Sequence, residues 1–344
     1  MNLSISQYIF LFFLKLILGF LNILEKITSF DLRPAVKKIG NILIYSVPFL
    51  LLITLGYFIY SGDLNEILEY KILERNYVSK ENLKAVTYFP VLKNGNVTTP
   101  NFTADSVLIY EARKGKILYS YNPDLKHAQA STTKLMTAIV ARELYDLNDY
   151  LKATTECYEI PGNKIWLPVD EIFTVKDILY AMLVGSANDA ACLLANSKVS
   201  QSVFVDQMNI KAEEYGLADT HFSNPIGFDS AGGDNYSTAN DLYKLSKAAL
   251  ADAFISEAVK TPVYLIKALN SEYYTNVYST NDLLWQIPGT TGVKTGTTQN
   301  AGEVLIYKYE DGMKSIVIIV MGSEDRFNDT RSLLSWVASN YRWD

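Results

Sequence analysis

Two pairs of strand-like runs, one near each end of the region beyond residue 100, constrain what this chain can fold into. SVLIYEARKGKILYSY, from Ser106, sets apolar runs on both sides of Arg113–Lys114–Gly115, and GEVLIYKY and MKSIVIIVMG flank Glu310–Asp311–Gly312. Each pair reads as a β-hairpin, because β-branched and aromatic residues are interrupted only by turn-formers. Helical patterns lie between them. One starts at Ser131, and another opens at Thr174, where Thr174 and Asp177 form an S/T-x-x-D/E start and Ile178, Met182 and Leu183 supply a buried face. The last segment, DTRSLLSWVASNY, is also helix-like. Strands at both ends with helices between predict an α/β (α+β) chain in which one sheet packs against helices.

With 344 residues there is room for one or two domains. The formal net charge of −6 leaves no basic surface for nucleic acid. Cys157 and Cys192 make neither a disulfide scaffold nor a zinc framework and read as isolated, Cys192 as a small buried hydrophobe. His127 and His221 are remote from both cysteines in sequence, so no metal site is expected, and both read as structural or surface residues.

From Ile42 to Tyr60 the sequence ILIYSVPFLLLITLGYFIY runs nineteen residues without a charge. As a helix it would be roughly 28 Å long, enough to cross a hydrocarbon core. No small-residue cleavage site follows it, so it reads as an uncleaved anchor. Lys26, Arg33, Lys37 and Lys38 precede it, whereas Asp63, Glu66 and Glu69 follow. That asymmetry places the C-terminal part on the extracytoplasmic side of the plasma membrane. A second apolar stretch, Ile5 to Leu24, reads either as another span or as a helix lying in the interface. Residues 1–60 are thus expected to form a membrane anchor of one or two helices, 61–101 a stalk and linker, and 102–344 the main domain.

Within the main domain, Ser131 and Lys134 form an S-x-x-K pair in ASTTKLMTA. The plain interpretation is a helix cap and a solvated lysine. About one such match is expected by chance in a chain of this length, so the pair means little alone. On a helix, however, residues three apart share a face, and a serine at a helix start sits near unpaired N–H groups and the positive dipole end. Such a serine needs a base, and a lysine serves if burial or a second cation lowers its pKa. Lys294, in VKTG, supplies the second cation, although alone it would read as an exposed lysine on an edge strand. The bare backbone of Gly296 would let a substrate approach that strand. Ser186 and Asn188, in LVGSANDAA, form an S-x-N pattern that also occurs at Ser120–Asn122 and Ser279–Asn281. Ser186 lies between the other two motifs and at a helix entrance. Its hydroxyl is suited to passing a proton to a leaving amine, and Asn188 to holding a substrate carbonyl or orienting Lys134.

S-x-x-K, S-x-N and K-T-G, in that order, are the pattern of penicillin-binding proteins and class A β-lactamases. ASTTKLMTA, TVKDILYAMLVGSANDAA, THFSNPIGFD, YSTANDL, STNDLL and GVKTGTTQNAG resemble the D-alanyl-D-alanine carboxypeptidases of the low-molecular-mass penicillin-binding protein family, serine peptidase family S11, from about Ser106 to Trp336. The resemblance implies a β-lactamase/DD-peptidase-like fold, an antiparallel sheet covered by helices and joined to an all-helical lobe, with the site between them. It also implies that Ser131 attacks the peptide bond between two D-alanines of a peptidoglycan stem peptide, that Lys134 takes its proton and that Ser186 relays one to the departing D-alanine. Asn188, Lys294, Thr295, Gly296 and Thr297 would bind substrate, with Lys294 and the two threonine hydroxyls facing its carboxylate. The N–H groups of Ser131 and Thr297 would form the oxyanion hole. β-Lactam antibiotics are the inhibitors the family implies, and no metal or organic cofactor is implied.

The chain departs from the family pattern in places. A β-rich domain found after the catalytic one in many members is not expected here, and Val169–Asp170–Glu171 replaces a common glycine-glutamate pair. Many relatives anchor through a C-terminal helix, not an N-terminal one. A D,D-endopeptidase needs the same residues and differs in what its cleft admits. A class A β-lactamase would carry a deacylating glutamate after S-x-N, but Glu213 and Glu214, in KAEEYGL, read as helix surface. An inactive tethered binding protein would be expected to lack one of the motif residues.

Overall fold

The computed structural model describes residues 88–93, 97–229 and 235–344. The expected anchor helices and most of the stalk lie outside the described residues. Among the described residues no helix is long and apolar enough to cross a membrane.

Both predicted hairpins form, and they join in one sheet. Its strands are β1 (Ser106–Glu111), β2 (Lys116–Tyr121), β3 (Thr290–Thr298), β4 (Gly302–Glu310) and β5 (Ser315–Ser323), antiparallel in the order β3-β4-β5-β1-β2. The main helices are α1 (Lys134–Leu144), α2 (Thr155–Glu159), α3 (Val175–Val184), α4 (Asn188–Asn196), α5 (Gln201–Glu214), α6 (Ala239–Ala251) and α7 (Arg326–Asn340).

β5 pairs with β4 on one side and β1 on the other, and both of its faces are covered. That explains its unbroken apolar sequence. Ile316, Ile318 and Val320 join Val107, Ile109, Leu305 and Tyr307 in a core closed by Leu333, Trp336 and Val337 of α7. Val317, Ile319 and Met321 face the other way, into a larger core built with α1, α3, α4 and α6. The period of two along the strand sets this division, and each fully buried side chain of this size stabilises the fold by about 1.5–3 kcal/mol.

α3 is buried on nearly every side and is the central helix of a helical lobe with α1, α4 and α5. Its predicted start is observed: Thr174 Oγ1 accepts from the Asp177 N–H at 3.1 Å and donates to the Asp177 carboxylate at 2.9 Å. The lobe is not purely helical. Tyr150–Lys152 pairs with Ile172–Thr174, and Val263–Lys267 pairs with Tyr274–Tyr278. The second ladder leans on α3 through Tyr264, whose ring stacks on Tyr180 with centroids 3.7 Å apart. Such short strands give too few alternations to be read from sequence.

The cysteines are a correction. Cys157 of α2 and Cys192 of α4 are bonded as a disulfide across 35 residues of sequence, with Cα atoms 5.4 Å apart, and both are buried. Cys192 does pack as a small buried group, but it is not isolated. Nothing in the spacing foretells this pairing, because it depends on α2 docking against α4.

Candidate active site

Ser131 does not stand on the first turn of an α-helix. It lies in a 3₁₀ turn, Ala130–Thr133, from which α1 continues with Lys134 as its first residue. Two glycines hold this turn from either side. A Cβ on Gly296 of β3 would lie 2.9 Å from the Ser131 nitrogen and 2.9 Å from the Ala130 Cβ. A Cβ on Gly227, whose φ is +76°, would lie 1.9 Å from the Ala130 carbonyl oxygen. The gap left by Gly296, expected to admit substrate, is therefore filled by the turn that carries Ser131. Glycine is required because two backbones meet there.

Lys134 is wholly buried, and its Nζ donates to three oxygens: Ser131 Oγ at 2.8 Å, Asn188 Oδ1 at 2.8 Å and the Ile226 carbonyl at 2.7 Å. Burial pulls its pKa down to about 7, against a smaller opposing pull from the Asp189 carboxylate. Only one of the three partners can itself donate a hydrogen. When the amine is neutral it keeps two N–H bonds for the two carbonyl oxygens and turns its lone pair toward the Ser131 hydroxyl. The protein environment thus builds a base aimed at one oxygen. Desolvation does most of this, and a neighbouring cation is not the main cause.

Asn188 begins α4. While its Oδ1 accepts from Lys134, its Nδ2 donates to the Pro161 carbonyl at 2.8 Å and its backbone N–H to the Asn163 carbonyl at 2.8 Å. Ser186, just before it, has φ +56°, a left-handed conformation rare for a residue other than glycine, asparagine or aspartate. Its Oγ accepts from Lys294 Nζ at 2.8 Å.

Lys294 is not the exposed edge-strand lysine that its tripeptide alone suggested; it is 1 % exposed. Its Nζ also donates to the Thr295 carbonyl at 2.9 Å. Burial first, and then the charges of Lys134 and Arg326, hold its pKa well below the usual lysine range. Thr295 and Thr297 are engaged differently. The Thr295 hydroxyl shares a 2.6 Å hydrogen bond with Thr280 Oγ1 and is buried, whereas the exposed Thr297 hydroxyl accepts from the Arg326 guanidinium.

Ser131, Lys134 and Asn188 therefore form one hydrogen-bonded set and Ser186 and Lys294 a second beside it, with β3 as the wall behind. Neither histidine takes part. His127 bonds the Ala128 carbonyl at 2.9 Å and lies 3.5 Å from Asp105, and His221 pairs through its backbone with Tyr236. Glu213 and Glu214 end α5 on the surface, Glu214 in an ion pair with Lys211.

Several members of the site were not assigned from sequence. Arg326, at the start of α7, donates to the Gly296 carbonyl at 2.8 Å and to Thr297, adding a cation at the end of β3. No local pattern marks it. The Ile226 carbonyl belongs to a turn organised by Asn224, whose Oδ1 accepts from the N–H groups of Ile226, Gly227 and Phe228. Asn235 fastens this turn to the Ser131 side through the Asn224 carbonyl and Thr133 Oγ1. The stretch SNPIGFD carries the resemblance, but a backbone carbonyl acting as a lysine acceptor leaves no residue-type signal.

The sequence matches the D-alanyl-D-alanine carboxypeptidase family over residues 93–325. The chain belongs to this family of serine hydrolases. It is similar to D-alanyl-D-alanine carboxypeptidase DacB2 of Mycobacterium tuberculosis, at 29% identity over 70% of this chain and 84% of that one. It is also similar to a D-alanyl-D-alanine endopeptidase of Pseudomonas aeruginosa, at 32% identity over 74% of this chain and 83% of that one. Among solved structures, cefotaxime-bound penicillin-binding protein D2 of Listeria monocytogenes superposes with a TM-score of 0.62 at 29% identity, over 70% of this chain and 99% of that one.

Proposed function

We propose that this chain is a membrane-anchored serine carboxypeptidase that removes the terminal D-alanine from peptidoglycan stem peptides. The observation that carries the reading is the Lys134 amine, buried, brought to a pKa near 7 and bonded to one hydroxyl and two carbonyl oxygens. Ser131 Oγ attacks the carbonyl of the penultimate D-alanine as its proton passes to Lys134. The N–H groups of Ser131 and Thr297 receive the oxyanion, a contribution of a few kcal/mol, about 2.7–4 per donor. Collapse breaks the peptide bond as Ser186 relays the proton taken up by Lys134 to the departing amine, which leaves Lys134 neutral again and the acyl group on Ser131. Water, deprotonated by Lys134, then releases the shortened peptide and restores the enzyme.

The terminal carboxylate is recognised at the end of β3. Lys294, Thr297 and Arg326 gather positive charge and hydrogen-bond donors there, and Thr295 supports the strand through Thr280. The same serine is the site for β-lactam acylation, a reading supported by the cefotaxime-bound relative. An anchor at residues 1–60, a stalk at 61–101 and a catalytic domain at 102–344 on the outer side of the plasma membrane rest on the uncharged run Ile42–Tyr60 and its flanking charges. The Cys157–Cys192 bond adds support, since disulfides persist in oxidising compartments.

A D,D-endopeptidase is the second reading, favoured by the Pseudomonas aeruginosa relative. Mass spectrometry of a stem pentapeptide and of a crosslinked dimer, each incubated with the full chain, separates the two. The carboxypeptidase releases one alanine from the pentapeptide, and Ser131→Ala abolishes the release. An intact pentapeptide with a cleaved dimer would replace the first reading by the second. If both substrates stay intact with folded protein, the catalytic reading is wrong.

A further inference from the structure

Beside the catalytic residues lies a segment whose construction the peptidase chemistry does not explain. From Thr154 to Leu167 most residues are exposed, yet the segment is fastened to the Gly185–Asn196 region along its whole length. The disulfide ties Cys157 to Cys192, and Glu156 accepts from Asn196 at 3.3 Å. Asn163 Nδ2 donates to the Gly185 carbonyl at 2.6 Å, and the carbonyls of Pro161 and Asn163 accept from Asn188. Asp189, fully buried, accepts from the N–H groups of Ile165 at 3.4 Å and Leu167 at 3.0 Å.

Between those last two residues is Trp166, with φ +62° and 56 % exposed. A bulky residue in the left-handed region is strained, and here the anchored backbone imposes it. The result is an indole carried outward on an anchored backbone. Lys164 lies over one face of the ring, its Nζ 3.9 Å from the centroid, and is itself held by the Tyr158 carbonyl at 2.8 Å. Tyr158, 37 % exposed, meets Trp166 edge-on at 5.6 Å. With one face of the indole taken by the ammonium, its exposure falls on the other face and the rim.

A large aromatic surface fixed in solvent contributes little to the fold, whereas a preorganised ring binds a flat apolar partner without an ordering cost. The carbonyl of Asn163, which Asn188 needs, is three residues from Trp166, so the ring and the acylation site share one support. The stem peptide proposed as substrate is borne on a polymer of N-acetylated amino sugars, and the C–H face of a pyranose ring is such a partner. From this juxtaposition we infer that Trp166, backed by Lys164 and Tyr158, is a saccharide subsite that stacks on an amino-sugar ring of the glycan carrying the stem peptide. For the identity of its ligand this rests on the carboxypeptidase reading.

The experiment compares D-alanine release by the full chain from an N-acetylated pentapeptide and from the same pentapeptide on its disaccharide. In Trp166→Ala the ratio of kcat/KM for the disaccharide substrate to that for the bare peptide falls about tenfold, whereas Trp166→Phe stays within about threefold of wild type. An unchanged ratio in Trp166→Ala overturns the subsite, and so does a Phe variant as poor as Ala. A second measurement does not depend on catalysis: saturation-transfer NMR with a β-1,4-linked N-acetylglucosamine tetramer. Transfer to the sugar ring protons in wild type, lost in Trp166→Ala, supports the subsite; no transfer in wild type overturns it. Should neither substrate release D-alanine, the carboxypeptidase reading fails and the NMR result alone decides the subsite.

Discussion

Replacing Gly296 by alanine tests whether the position of Ser131, the proposed nucleophile, depends on close packing against the sheet edge. The added Cβ would meet the Ser131 nitrogen and the Ala130 Cβ at 2.9 Å and the Gln129 carbonyl at 3.1 Å, where ordinary contact begins at 3.4 Å. Two of the three atoms are backbone, so no flexible side chain can swing away. The Ser131 turn and β3 must separate by about half an ångström. β3 is an edge strand of the sheet, paired with β4, and can yield outward. It would carry Lys294 and Thr297 with it and leave Ser131 behind. Overpacking of this kind costs about 1–3 kcal/mol, or about 2–12 °C in a domain of this size. Because a 1 Å misplacement of reacting groups can cost about a hundredfold, half of that predicts about a tenfold slower acylation. Stopped-flow acylation by a fluorescent penicillin measures the rate, and scanning calorimetry the stability. Gly312→Ala, at a turn with nothing within 4 Å of the added Cβ, is the control expected to change neither. A Gly296→Ala protein that acylates at the wild-type rate would refute the close-packing account of the site.

Other consequences follow from the same geometry. Lys134 accepts a proton only when neutral, and burial brings its pKa to about 7; acylation should therefore rise with pH to a plateau, with its acid limb centred near 7 and about tenfold loss per unit below. A limb centred near 10 would show that burial does not tune this lysine. Arg326→Ala removes the guanidinium from Gly296 and Thr297, and kcat/KM on a peptide with a free C-terminal carboxylate should fall about ten- to a hundredfold. The C-terminal amide of the same peptide should be affected far less; equal losses would argue against carboxylate recognition. Cys157→Ala with Cys192→Ala opens a loop of 35 residues and should destabilise the protein by about 3–4 kcal/mol, read by urea unfolding under non-reducing conditions. In spheroplasts, added protease should degrade the catalytic domain without lysis, and full protection would reverse the proposed orientation.

The pattern S-x-x-K, S-x-N and K-T-G was legible in sequence because it is written in side chains at short spacing. Ser131 and Lys134 are bound by the geometry of one turn, Ser186 and Asn188 by the entrance to one helix, and Lys294 to Thr297 by one strand. The two hairpins and the capped start of α3 were legible for the same reason, since local backbone preference and apolar periodicity already specify them. What these motifs do to one another was not local. Only the folded chain buries Lys134 and surrounds it with Asn188 and the Ile226 carbonyl, which is what lowers its pKa. Only packing turns Gly296 from an opening for substrate into the seat of the Ser131 turn. Arg326 enters the site from a helix 30 residues beyond Gly296, and Cys157 finds Cys192 through helix docking. Sequence determined which groups are present and which neighbours each has along the chain. Desolvation, charge proximity and steric contact depend on distances between remote segments, so the tertiary structure alone decided how those groups behave.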